Sequence, residues 1–156
     1  MTDAYDIEMC VLSQPRYLCV VRAAVSVAVD RYGFGEDACG RVMLAVDEAV
    51  TNVIRHGYDG AADKPIWVKL RPTDHRGQPG LTIVIEDQAR QVDPEKIKGR
   101  PLEQVRPGGL GVHIIREVMD HVRYTRREGG GMRLEMSKNL ATQQPQGADA
   151  QKATES

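Results

Sequence analysis

Apolar positions change their period several times along the chain, and each change marks an element. Residues 6–13 alternate weakly between apolar and polar side chains, the pattern of an edge strand. Pro15 suits a first helical turn, and Leu18, Val21, Val25, Ala28 and Val29 then recur at helical spacing to about Tyr32. Gly33-Phe34-Gly35 breaks that helix. A second starts near Glu36 and Asp37, acids that favour a helix N-terminus, and runs to about His56 with Gly57 as its stop. After a polar loop over 58–65, residues 66–70 and 81–86 read as strands joined by the turn-rich PTDHRGQPG. Residues 88–110 keep no period and hold three prolines, which predicts a long loop; loops of that length are usually functional or disordered. A third helix is expected over about 109–121, then strands over 122–127 and 132–138 around the glycines of EGGG. From Thr142 the chain is polar and is expected to be disordered.

The order β-α-α-β-β-α-β-β predicts an α+β two-layer sandwich, a mixed sheet with helices on one face. One domain over 1–140 and a polar tail over 141–156 account for the length, and no internal repeat is visible.

Composition narrows the function classes. With 21 basic against 22 acidic residues there is no basic footprint for nucleic acid. No apolar run approaches the roughly 20 residues needed to span a bilayer, so no membrane role is expected. The start MTDAYDIEMC lacks the apolar stretch of a secretory signal. Cys10, Cys19 and Cys39 are odd in number and lack CxxC spacing, so they read as reduced thiols. These features together place the expected location in the cytoplasm.

Three short segments could carry chemistry. Val42, Ala45, Val46, Ala49 and Val53 form the apolar stripe of the second helix, and Glu48 and Asn52 lie one turn apart on its flank. An Asn oxygen is a hard ligand suited to Mg²⁺, and a Glu beside it can act as a base towards a hydroxyl. The plain alternative is a solvated Glu and a tolerated Asn. Asp87 follows the apolar run 81–85 at a strand end, where its carboxylate can accept from an exocyclic amine such as that of adenine; it also suits an ordinary turn. Pro107-Gly108-Gly109-Leu110-Gly111 enters a helix, and free N–H groups there attract phosphate, although a flexible turn would read the same way. The Lys-Ser/Thr of a Walker A loop is missing, as is a full G-x-G-x-x-G. Arg90, Lys96, Lys98, Arg100 and Arg106 load the preceding loop with positive charge. His56 sits at a helix end, His113 and His121 read as structural positions along the third helix, His75 falls in a turn, and no pair makes a convincing metal site.

In their order along the chain, these segments resemble the GHKL ATPase superfamily, which includes the histidine kinase-type ATPase domains. Within it they resemble the small RsbW/SpoIIAB-type anti-sigma serine kinases. LAVDEAVTNVIRHGY is similar to the N-box, IVIEDQARQVDP to the G1 box, and GGLGVHIIREVMDHVRY to the G2 box; the likeness covers roughly residues 10–138. It implies the Bergerat fold and ATP with Mg²⁺ as cofactors. Asn52 would hold the metal, Glu48 would be the catalytic base, and Asp87 would bind the adenine amine beside Ala89. Gly109, Leu110 and Gly111 would embrace the phosphates, with Arg106, Gly108 and Val112 beside them. The implied partners are a STAS-domain anti-anti-sigma protein bearing the acceptor serine, a sigma factor or analogous regulator, and a second copy in a homodimer.

Two positions depart from the superfamily pattern. Asp87-Gln88-Ala89 stands where it has Asp-x-Gly, and Gly131-Met132 where many members have Gly-Thr, so Met132 supplies no hydroxyl. Ala89 keeps a rival reading open, a nucleotide-dependent partner-switching module without kinase activity. A member that binds no nucleotide is a third.

Overall fold

The computed structural model describes residues 4–97 and 110–141. The positions of Lys98, Arg100, Arg106, Pro107, Gly108 and Gly109, and the tail from Thr142, lie outside the described residues.

Strand β1 (Ile7–Leu12) leads through a 3₁₀ turn (Pro15–Tyr17) into α1 (Leu18–Arg31) and α2 (Glu36–Asn52). A hairpin follows, β2 (Pro65–His75) and β3 (Gln78–Glu86), then α3 (Gly111–Val118), β4 (His121–Arg126) and β5 (Met132–Asn139). The element order is the expected one, and β1 is indeed an edge, since the sheet runs β1-β2-β3-β5-β4.

Every hydrogen-bonded ladder is antiparallel, where a mixed sheet was expected. The connections explain it. Between β1 and β2 lie two helices, which return the chain to the end it left. The β3-α3-β4 crossover does give two strands of the same direction, but β5 folds back between them and pairs with both.

One face of the sheet packs on the helices. Leu70, Ile83 and Met136 share one cross-strand row, and Val68, Ile85 and Leu134 the next. Against them lie Val21, Val25 and Val29 of α1, Val42, Val46 and Ala49 of α2, and Ile115 of α3, all buried in one core. Each fully buried Val, Leu or Ile contributes roughly 1.5–3 kcal/mol relative to exposure. This packs α2 into one core with the sheet, and Ala49 and Asn52 of its last turn share a cavity lining with Ile85 and Asp87 at the β3 terminus.

The other face is buried along β3 as well. Thr82 hydrogen-bonds Ser137 at 2.8 Å, and Val84 is fully covered. Glu86 meets Lys69 at 3.0 Å, Arg133 at 3.2 Å and Arg127 at 3.7 Å. A buried carboxylate needs such partners to offset its lost hydration.

Three local readings change. The β2–β3 strands extend through both prolines to a two-residue turn at Arg76-Gly77, with φ of 55° and 83°. Both values are positive, as in the turn type that matches strand twist. Pro72 is tolerated because its nitrogen faces the side of β2 where β1 has already ended: β1 pairs only as far as Leu70. Pro79 lies one residue past the Gly80–Asn139 end of the β3–β5 ladder. His121 opens β4 because α3 stops at Val118. Finally, α2 does not run as α-helix to His56; Val53–Gly57 is a π turn, closed by the Tyr58 N–H on the Val53 carbonyl at 2.8 Å. Such wide turns recur at functional sites.

Candidate active site

Glu48 and Asn52 are half-buried on the flank of α2 that faces the start of α3. A Cβ at Gly111, the first residue of α3, would stand 2.6 Å from Glu48 Oε2 and 3.1 Å from Asn52 Nδ2. Only a glycine lets the α3 N-terminus settle directly on the pair. Neither side chain is taken up by a hydrogen bond or ion pair with another described residue.

Beside this contact opens a cavity of about 500 Å³, within the size range of small-molecule sites. Asn52, Gly111 and Val112 line it. Asp87 and Ala89 line it too, contributed by the segment that leaves β3. Glu48 reaches the cavity only by way of Gly111, and Leu110 is exposed outside the lining. Arg106, Gly108 and Gly109 are outside the described residues.

Asp87 is locked by its own backbone neighbours. Its Oδ1 accepts from the N–H of Ala89 at 2.8 Å and of Met132 at 3.1 Å, while its N–H donates to the Met132 carbonyl at 3.1 Å. One carboxylate oxygen is thus committed to the protein, and Oδ2 takes no hydrogen bond from another described residue. The β4–β5 turn makes this possible. Gly131 has φ +90°, and a Cβ there would collide with the Asp87 carbonyl oxygen.

Comparisons with known proteins meet this geometry. The histidine kinase-like ATPase domain family matches residues 11–138. A serine-protein kinase RsbW of Oceanobacillus iheyensis is 32% identical, over 96% of this chain and 97% of the relative. Another serine-protein kinase RsbW, from Halalkalibacterium halodurans, is 30% identical over 86% of this chain and 83% of its own. A third, from Listeria innocua, is 29% identical over 75% and 77%. The chain belongs to the histidine kinase-like ATPase domain family, alongside the RsbW-type kinases.

Within this histidine kinase-like domain the two departures take on a structural meaning. Among the described residues, the non-glycine positions with positive φ are Asp59 and Arg76, so Ala89 keeps a backbone open to any L-residue. Ala89 is buried, and its methyl points towards Gly57. Met132 serves the site through its backbone and contributes apolar wall, so a missing hydroxyl there removes nothing that Asp87 depends on.

Burial pushes the Asp87 carboxyl above the ordinary carboxylate range, and the Ala89 and Met132 N–H groups and Arg127 pull part of it back. The Tyr124 hydroxyl, also on the cavity wall, is pushed up to about 12 by burial, so it stays protonated at neutral pH.

Sequence reasoning missed part of the lining. His56, Gly57 and Asp59 come from the π turn and its exit, and Tyr124 and Leu134 from the sheet. Arg90, Val92 and Ile97 come from the loop after β3; of the two described loop cations, Arg90 is in the lining and Lys96 is not. The alternation of β4 could have pointed to Tyr124; nothing local singles out Gly57.

Proposed function

We propose that this chain is an ATP-dependent serine-protein kinase that phosphorylates a serine on a STAS-domain anti-anti-sigma protein. In the same proposal it sequesters a sigma factor or analogous regulator, and it works in the cytoplasm as a homodimer. The observation that carries the reading is the Glu48/Asn52 pair held against Gly111 beside a cavity that Asn52, Gly111 and Asp87 all line. A purine at Asp87 would leave its phosphates near the α3 N-terminus, where backbone N–H groups favour anions.

The residues present suit Mg²⁺. Among the described residues no group of three His, Cys, Asp or Glu could hold a metal alone. A single Asn oxygen with phosphates and water is the ligand set this ion ordinarily takes. Asn52 would hold it, and when bound it would neutralise phosphate charge. The acceptor serine Oγ attacks the γ-phosphorus, the bond from that phosphorus to the β–γ bridging oxygen breaks, and ADP leaves. Glu48 takes the hydroxyl proton. Such transfer depends mainly on positioning and charge stabilisation.

The test is incubation of the native protein with radiolabelled ATP, Mg²⁺ and a STAS-domain protein encoded beside it. Label should move to a serine. Glu48→Ala should lower transfer by about 10²–10⁴-fold while keeping nucleotide affinity, the range expected for losing a general base. Asn52→Ala should lose both. ATP binding without transfer by the native protein would sink the kinase reading in favour of a binding module. That rival draws on Ala89, whose unstrained backbone and methyl turned towards Gly57 remove its motive.

A further inference from the structure

The π turn that closes α2 touches the Asp87-Gln88-Ala89 segment at two points, and neither contact belongs to the chemistry described above. First, Tyr58 is buried, and its hydroxyl accepts from the Gln88 N–H at 2.7 Å while donating to the Pro65 carbonyl at 2.6 Å. Burial raises the Tyr58 pKa, which keeps the proton this second bond needs. The ring therefore ties the segment to the first residue of β2, a fixed point of the sheet. Second, a Cβ built on Gly57 would stand 3.1 Å from the Ala89 Cβ. Carbon atoms in contact prefer roughly 3.5–4.0 Å, so a methyl at residue 57 would press on the Ala89 methyl and displace it by a few tenths of an ångström.

We propose that Gly57 and Tyr58 are positioning residues for the 87–89 segment. Gly57 and Ala89 form a matched pair in which residue 89 carries the one methyl of the contact. The turn that presents Asp87 is thus set from both sides. Met132 and Ala89 N–H groups hold the carboxylate, and Tyr58 holds the backbone N–H of the next residue, Gln88. The ATP part of the test rests on the function proposed above; the geometric part does not.

The experiment uses the full chain and measures amide hydrogen exchange without nucleotide, then calorimetric binding of Mg-ATP. Gly57→Ala should speed exchange at Gln88 and Ala89 and weaken Mg-ATP about tenfold, on the order of one lost hydrogen bond. Adding Ala89→Gly to that variant should bring both readouts back to within about twofold of native, a recovery that general destabilisation would not produce. Tyr58→Phe should speed exchange at Gln88 selectively. A double variant no better than Gly57→Ala, or unchanged Gln88 exchange in Tyr58→Phe, overturns the proposal. If Tyr58→Phe does not fold, the glycine exchange decides alone. If the native protein binds no Mg-ATP, the nucleotide reading falls, and the exchange rates still decide whether the π turn positions the segment.

Discussion

Asp87 is asked to stay buried and to stay available as an acceptor, and the two demands pull its carboxyl in opposite directions. Burial raises its pKa above the ordinary value, and the N–H groups of Ala89 and Met132 offset only part of the rise. A carboxyl whose folded pKa exceeds its unfolded one binds protons better when folded. Stability is then greatest below the unfolded value, near about 4, and declines as pH rises through the folded value. At neutral pH the native fold bears the cost of a buried charge. Asp87→Asn keeps an oxygen for both N–H donors and removes that charge. Urea unfolding should therefore find the variant at least as stable as native at pH 7, with its advantage shrinking as pH falls towards 4. Its affinity for ATP should fall by more than about tenfold, because an NH₂ donor now faces the adenine amine. A variant clearly weaker than native at pH 7 would contradict the assignment of burial as the dominant cause.

At the scale of elements, the β4–β5 turn shows how tightly the sheet is fitted around that carboxyl. Gly129 and Gly131 share nearly the same φ, +83° and +90°, but only at Gly131 would a Cβ meet the backbone of Asp87 and Gln88. Gly129→Ala should cost about 1–2 kcal/mol, the ordinary penalty for a left-handed residue. Gly131→Ala should cost more than about 3 kcal/mol and lose Mg-ATP binding, since neither backbone can yield without opening the β3–β5 ladder. Denaturant midpoints of the two variants check this, and equal costs would refute it. Elements of this kind differ in how far the sequence reveals them. Val21, Val25, Ala28 and Val29 mark α1 because a buried stripe leaves a 3.6-residue period. The run from Leu81 to Ile85 marks β3 because a strand covered on both faces is apolar throughout. Pro72 and Pro79 hid the true length of the hairpin, since whether a proline is tolerated depends on which side of the strand has a neighbour. The π turn left no mark either: nothing in Val53–Gly57 separates a five-residue closure from a four-residue one. Asp87 was legible at its strand end. Tyr58 and Gly57 were not, because their partners Gln88 and Ala89 are about 30 residues away and contacts at that distance have no period.

The cavity draws its lining from four separate parts of the chain. Asn52 comes from the end of α2, Asp87 from beyond β3, Gly111 from the start of α3 and Met132 from the start of β5. A ligand that touches all four binds the native arrangement and has no comparable site on the unfolded chain, so it must stabilise the fold by mass action. At a Mg-ATP concentration about 100 times Kd the gain is about 2.7 kcal/mol. For a chain of 156 residues each kcal/mol moves the unfolding midpoint by about 2–4 °C, giving a rise of about 5–11 °C. Scanning calorimetry at increasing nucleotide should show the midpoint climbing with the logarithm of concentration. ATP without Mg²⁺ should give a smaller rise if Asn52 holds the ion, and Asn52→Ala should erase the difference between the two conditions. Asp87→Asn should remove about half of the rise or more in both, because it acts at the base and not at the phosphates. A native midpoint unmoved by Mg-ATP across that range would show that the cavity does not take the nucleotide, whatever the family resemblance of its walls.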